Sequence, residues 1–459
     1  MNKHIIISIF ISILTFNSFA QNFNIIDTLP TGAYGTAEWG DFDGDGFKDL
    51  VYISQVLPTA ACKIYHNQNN VFTEVSQQFP LLYNPAAKWA DLDNDGFEDL
   101  VVCGLDSVLN EQTFIYKSLG NGNFNSMPHT IPGLSSGSIS LADYNNDSLI
   151  DIAISGYGNS PGPEAYIFKN TGAFQFNNII TPLVGLTGGE TSWHDYNHDN
   201  LPDLVATGNE GNQVRIRFYR NMGSDVFQEE SFSFPGAVGT VDWIDYDLDG
   251  IDDLFVTGVD SSFVHNLTSL YRNDGLGNFT LIPTNIPEFG EPSAVDIADF
   301  NNDSIMDICL TGGNAIYFSY SVIAYGQGNS TFSFQVLPQA IIDNLFVDAA
   351  DIDNDGDMDL VMSTYILRND GTTTGVLQNE KSRSDIFLYP NPSSNELNII
   401  SSKQIDDYTF YDSQGRLVLE KDNSDNTEKI LTSLLPTGKY ILKLKFKTGD
   451  SVSKSILIE

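Results

Sequence analysis

The sequence predicts an all-β chain: a seven-bladed β-propeller followed by a small C-terminal β-sandwich. Three observations predict it. One acidic decapeptide occurs seven times, with successive starts 50, 52, 52, 50, 54 and 52 residues apart. Each repeat carries about four strand-like segments, and helical periodicity is absent from residues 22 to 370. Beyond Lys381 the acidic motif disappears and short alternating strands take over. A unit of roughly 50 residues with four short strands, used seven times, is a propeller blade.

The first twenty residues are not fold. Lys3 and His4 precede an apolar run from Ile5 to Phe16, and Ser18-Phe19-Ala20 offers small residues before a cleavage point. This reads as a secretory signal peptide over residues 1–20, with Gln21 as the mature start. The run is shorter than the roughly 20 apolar residues of a transmembrane helix. No cysteine follows the cleavage point to take a lipid anchor.

The decapeptide reads DFDGDGFKDL from Asp41, DLDNDGFEDL from Asp91, DYNNDSLIDI from Asp143 and DYNHDNLPDL from Asp195. It continues as DYDLDGIDDL from Asp245, DFNNDSIMDI from Asp299 and DIDNDGDMDL from Asp351. Prolines 30, 80, 132, 182, 235, 287 and 338 stand 10 to 13 residues ahead of the seven motifs. All four tryptophans, Trp39, Trp89, Trp193 and Trp243, stand two residues ahead of one, a fixed place that suits packing between blades better than a sugar-stacking rim. One strand enters each motif, one leaves it, and a hairpin pair such as YRNDGLGNFT from Tyr271 follows. The last repeat ends at YILRNDG without its second hairpin strand. Residues 22–29 (NFNIIDTL) supply the missing strand, pairing with the segment around Tyr365–Arg368 and closing two sheet edges. The propeller then spans residues 21–371, residues 372–384 form a polar linker, and residues 385–459 the second domain.

With 60 acidic against 22 basic residues, the chain carries a formal net charge of −38. Nucleic acid and anionic membrane surfaces are thereby poor partners, because phosphate binding needs a basic footprint. Cys62, Cys103 and Cys309 are too few for a disulfide framework in so long a chain and read as small buried hydrophobes.

Positions 1, 3, 5 and 9 of the decapeptide are always Asp or Asn, and position 7 is apolar in six of seven copies, so only its carbonyl would matter. Oxygen-bearing side chains on alternate residues of a tight loop can converge on one point. Calcium takes six to eight oxygens with little directional demand. Transition metals want His or Cys, and neither recurs in the motif. An EF-hand is excluded: it needs Glu at position 12 and flanking helices, where this chain has Tyr52, Val102, Ile154, Ala206, Val256, Leu310 and Met362 in strand-like runs. Three Asn among the 28 side-chain positions leave 25 carboxylates, and up to seven calcium ions would supply +14 against them.

These repeats resemble the FG-GAP/VCBS family, whose propellers include the head of integrin α subunits, over roughly residues 22 to 371. The resemblance implies that Asp41, Asp43, Asp45, Phe47 (carbonyl) and Asp49 ligate calcium in the first loop, and Asp91, Asp93, Asp95, Phe97 and Asp99 in the second. It implies Asp143, Asn145, Asp147, Leu149 and Asp151 in the third, and Asp195, Asn197, Asp199, Leu201 and Asp203 in the fourth. In the fifth it implies Asp245, Asp247, Asp249, Ile251 and Asp253, and in the sixth Asp299, Asn301, Asp303, Ile305 and Asp307. The seventh set is Asp351, Asp353, Asp355, Asp357 and Asp359. Asn145, Asn197 and Asn301 remove a charge from three loops and should weaken those sites.

The tail is similar to the C-terminal sorting domain of type IX secretion substrates. The matching residues are YPNPSSNELNI from Tyr389, YDSQGRLV from Tyr411 and the final strands from Leu435 to Glu459. The resemblance implies export in two steps, across the inner membrane and then through the type IX machinery, to the medium or the outer-membrane surface.

A catalytic residue in a symmetric repeat should break the symmetry. The basic residues His66, Lys117, Lys169, Arg220, Arg272 and Arg368 keep it, at one equivalent hairpin position. Arg215 and Arg217 break it, on what reads as a solvent-facing strand, and His194 and His198 sit in the fourth loop at non-ligand positions, expected to be exposed. No nucleophile elbow, zincin or phosphate-loop motif occurs. The sequence therefore predicts an extracellular or cell-surface binding and adhesion module for glycan or protein. The alternatives are a structural surface component and a calcium-dependent polysaccharide lyase.

Overall fold

The computed structural model describes residues 21–371 and 386–458, except 31–32, 57–58, 159–161, 212, 233, 261–265, 314–318, 338–345, 390–395, 402–404, 413–415, 423–428, 434 and 448–450. The expected signal peptide, the linker and the Pro-Asn-Pro segment of the tail lie outside the described residues.

Seven four-stranded antiparallel sheets carry the seven decapeptides. In the second, Tyr83–Ala90 enters the motif, Asp99–Leu105 leaves it, and the hairpin pair Glu111–Ser118 and Phe124–Met127 completes the sheet outward. The strand leaving the motif is apolar on both faces because neighbouring sheets cover both. Residues Asp99 to Gly104 are accordingly all buried, whereas the outermost strand buries little beyond Phe124. The core therefore lies between blades. One such layer joins Phe42, Val51 and Ile53 of the first sheet to Leu100, Val102, Tyr116 and Phe124 of the second.

The innermost strands touch one another in turn: Ala33–Gly40, Tyr83–Ala90, Ser135–Ala142, Thr191–His194, Val241–Ile244, Gly290–Ala298 and Val347–Ala350, which returns to Ala33–Gly40. Closure is made by strand pairing between the two ends of the propeller. The seventh sheet takes Val347–Ala350, Asp359–Met362 and Tyr365–Asn369 from the end of the propeller and Phe23–Thr28 from its beginning. Phe23 lies opposite Asn369 and Thr28 opposite Tyr365, the pairing that the incomplete last repeat predicts. Phe23 is buried, its ring 6.2 Å edge-on from Phe300 of the sixth sheet.

The tail forms a three-stranded and a four-stranded sheet. Gly438–Phe446 alternates strictly between exposed and buried side chains. Leu442, Leu444 and Phe446 pack with Leu397 and Ile399 of the other sheet, which makes the unit a sandwich. No helix long and apolar enough to cross a membrane occurs among the described residues.

Candidate functional site

Each decapeptide forms the turn between the two inner strands of its sheet, and one hydrogen-bond pattern shapes all seven. The position-1 carboxylate accepts from the backbone N–H of position 6: Gly46 and Gly96, Ser148, Asn200, Gly250, Ser304 and Gly356, at 2.7–3.0 Å. The position-5 carboxylate accepts from the N–H of position 7, as Phe47 to Asp45 at 2.9 Å and Ile305 to Asp303 at 2.9 Å. The chain must turn left-handed twice to make this loop, at position 6 and also at position 4, where Gly44, Asn94, Asn146, His198, Leu248, Asn302 and Asn354 have φ of 56–71°. Ser148 and Ser304 adopt the left-handed conformation at position 6 despite their side chains, with φ of 69° and 67°. Position 4 also links loops: Asn94 donates to the carbonyl of Ser148, Asn146 to Asn200 and Asn354 to Gly46, each in the next blade.

The position-9 aspartates (Asp49, Asp99, Asp151, Asp203, Asp253, Asp307 and Asp359) are essentially fully buried. Burial raises their carboxyls, to about 8 at Asp49 and Asp307 and to about 7 at the other five. One oxygen of each accepts the backbone N–H at the end of the third strand, as Asn67 to Asp49 at 2.8 Å.

The four loops with Asp at position 3 each bring three carboxylates within 4.8 Å: Asp41, Asp43 and Asp49; Asp91, Asp93 and Asp99; Asp245, Asp247 and Asp253; and Asp351, Asp353 and Asp355. In the loops with Asn there, the amide of Asn145 donates to Asp151 at 3.0 Å and that of Asn197 to Asp203 at 2.6 Å, so part of the acidic charge is met internally. Position 3 also carries orphaned oxygens: Oδ1 of Asp93, Asn197, Asp247 and Asp353 is buried without a hydrogen-bond partner. A buried oxygen in that condition is costly unless a cation or a water faces it. An all-oxygen donor set with unmet lone pairs has the chemistry of a hard divalent cation.

The third-strand basic residues belong to these loops. Lys117 pairs with Asp93 and Asp95, Arg220 with Asp199 at 3.1 Å, Arg272 with Asp247 and Asp249 at 3.1 and 2.7 Å, and Arg368 reaches Asp353 at 4.0 Å. Lys169 turns instead to Asp225 in the next blade. Immediately after them stands a residue that sequence reasoning missed. Asn67, Asn170, Asn221, Asn273 and Asn369 are buried, and each donates from its side chain to the position-2 carbonyl of the preceding blade, at 2.8–2.9 Å. Ser118 makes the same link to Phe42. The signal was present as the recurrent Asn closing HN, KN and RN pairs.

Trp39, Trp89 and Trp193 donate Nε1–H to the carbonyls of Asp348, Glu38 and Ser140 in the preceding blade, so packing between blades is their role. His194 departs from expectation. It is half-buried, stacked 4.2 Å from Trp243 and 3.3 Å from Asp252, while His198 is exposed. Arg217 lies between Glu210 and Glu229, which accounts for its charge.

A second constellation was not visible in the motif. The inner strands and the residues leading into them, three to seven positions ahead of each acidic motif, surround a cavity of about 450 Å³ lined by all seven blades. Around it stand Glu38, Lys88, Glu190, Asp242, Asp296 and Asp348. Lys88 pairs with Glu38. Burial opposes charge on Lys88, but Glu38 and Asp348 overcome it and hold the ammonium above its ordinary range. Burial raises Glu190, Asp242 and Asp296 to about 7 and Asp348 well above the usual carboxylate range. Five of the six stand three residues ahead of a motif, but a side chain faces the axis only once seven strands share one.

Four stretches, residues 41–102, 91–154, 195–256 and 245–310, match the FG-GAP-like repeat model, and residues 387–459 match the secretion system C-terminal sorting domain. No curated protein matches the chain. Among solved structures, AofleA from Arthrobotrys oligospora aligns at 12% identity and TM-score 0.43, over 72% of this chain and 94% of that one. The six-bladed fucose-recognising lectin of Aleuria aurantia aligns at 11% identity and TM-score 0.40, over 69% and 99%. The seven-sheet ring, its acidic loops and the matched stretches agree: the chain belongs to the FG-GAP-like repeat family and ends in a secretion system C-terminal sorting domain, which makes it an exported protein.

Proposed function

We propose that the chain is an extracellular or cell-surface binding module whose calcium-loaded loops stiffen the ring while the opposite face takes a glycan or protein ligand. The observation that carries it is the central cavity, where the position three ahead of the motif is acidic in four blades (Glu38, Asp242, Asp296 and Asp348) but a lysine, Lys88, in one, and where Glu190 joins them from outside that position. A repeated residue serves the scaffold, whereas an unrepeated one at a pocket needs another reason. Val108, Leu109 and Tyr157, all exposed, stand where the second strand of a blade turns into its third, at the end opposite the acidic loops. The orphaned position-3 oxygens support the calcium part of the reading. A lyase acting on acidic polysaccharide is disfavoured by the same pocket, since its one cation, Lys88, is already paired with Glu38 and so is not left to neutralise a uronate.

At extracellular affinities of about 10⁻⁴–10⁻³ M, millimolar calcium stabilises each loop by roughly 0.5–1.5 kcal/mol. Summed over seven loops this is of the order of a whole domain's stability, about 5–15 kcal/mol. Chelation should therefore lower the melting temperature sharply, and an unchanged melt refutes the metal loops. Ligand binding is tested on a glycan and extracellular-protein array in calcium. Hits that weaken in Glu190→Gln with Asp242→Asn support the pocket. Hits indifferent to both substitutions move the binding surface elsewhere.

A further inference from the structure

We propose that the first loop is a mixed nitrogen–oxygen metal site that takes a first-row transition ion such as Zn²⁺, with Asp43, Asp45 and His66 as ligands. The inference extends the reading of the loops as cation sites but has its own geometry. In the second, fourth, fifth and seventh blades, the third-strand basic residue reaches back onto its own loop and meets position 3 or 5. Lysine and arginine there compete with a metal, because their nitrogens have protons to give and no lone pair to offer. In the first blade the same reach ends in an imidazole, whose neutral form has such a lone pair.

His66 Nε2 lies 3.0 Å from Asp43 Oδ2 and 3.7 Å from Asp45 Oδ2. All three ligand atoms fall within 4.8 Å of one another. Donor atoms about 2.0–2.1 Å from a tetrahedral zinc are separated by roughly 3.3–3.4 Å, and the two observed distances bracket that. Nε2 is buried and has no hydrogen-bond partner, although a carboxylate oxygen stands 3.0 Å away. Neither carboxylate oxygen therefore takes up the in-plane direction of this nitrogen, which stays open to a metal. The carboxylates are oriented for it: Asp43 Oδ1 accepts from the N–H of Asp45 at 3.3 Å and Asp45 Oδ1 from that of Phe47 at 2.9 Å, which directs both Oδ2 atoms inward. Phe42 holds the imidazole from the side, ring centroids 5.4 Å apart. Imidazole with two carboxylates suits zinc, whereas calcium favours a wholly oxygen shell.

The test is Zn²⁺ titration by calorimetry of the full propeller-and-tail chain, stripped of metal and then held in excess calcium. The expected result is one Zn²⁺ per chain that binds at least about tenfold more weakly in His66→Ala, in His66→Arg and in Asp43→Asn. His198→Ala, which alters an exposed imidazole, should bind as the parent does. Substituting Co²⁺ should give a visible absorption band that the His66 variants lack. Equal Zn²⁺ uptake by parent and His66→Ala, or none by the parent, overturns the proposal. A parallel calcium titration separates the two ideas: calcium uptake with no His66-dependent Zn²⁺ rejects only this one, and the converse rejects only the calcium reading.

Discussion

Leu248 holds a left-handed backbone, φ 60°, at a loop position where four of the other six blades place Asn and one places Gly. A branched apolar side chain pays about 1 kcal/mol or more there, and half of it is exposed. Leu248→Asn removes that strain and offers an amide to the sixth loop, as Asn94 does to the third. It should stabilise the protein by roughly 0.5–1 kcal/mol, seen as a higher thermal midpoint. Asn273 makes the opposite case. Its amide serves two carbonyls, Tyr196 at 2.8 Å and Asp252 at 3.1 Å, and the backbone around it is buried. Asn273→Ala leaves both acceptors unmet and should cost about 1–3 kcal/mol in chemical denaturation. Blade six has Gly326 in the equivalent place, where a Cβ would come 2.5 Å from the carbonyl oxygen of Met306, so that junction does without the link. None of this was legible in sequence beyond the recurrence itself. An Asn after a basic residue in a hairpin reads equally well as turn chemistry, and only the neighbouring blade reveals its acceptor.

At the scale of elements, the sequence was readable wherever alternation and turn residues repeat. The strand leaving each motif, the hairpin that follows and the closing partner of Tyr365–Asn369 were all expected and all occur. The loops were readable at position 6 through Gly46, Gly96, Gly250 and Gly356 but not at position 4, where a His and a Leu hide the pattern. The pocket residues were hidden for another reason. Glu38, Lys88, Asp242, Asp296 and Asp348 share a repeat position, yet their meeting depends on the ring's closure rather than on local order. The first strand tests that closure. Phe23→Ala removes a buried ring between the sixth and seventh blades and should cost about 3–5 kcal/mol by the same denaturation measurement. A cost below about 1 kcal/mol would mean that the ring does not need its seam.

For the whole molecule, pH sets a balance around the axis. Glu190, Asp242 and Asp296 keep protons in the folded state up to about pH 7, because burial disfavours their charge, whereas in the unfolded chain they ionise in the ordinary range near 4. A raised carboxyl favours folding most fully below its unfolded value, and that contribution is lost as pH climbs through the folded value. With the loops held in saturating calcium, the melting temperature should fall as pH rises from about 5 to 7 and level off above that, and Glu190→Gln should flatten the fall. A slope that the variant leaves untouched would place the titration elsewhere.

The seam has a temporal consequence as well. Phe23 meets Asn369 across nearly the full length of the propeller, so the earliest strand of the domain waits for the latest. Six blades can assemble as the chain emerges, but the circle locks only when its two ends arrive together, a late and entropically demanding event. Alterations near the beginning of the domain will therefore register as defects at its far end, and a chain cut short before Tyr365 will carry an idle strand with nothing to join.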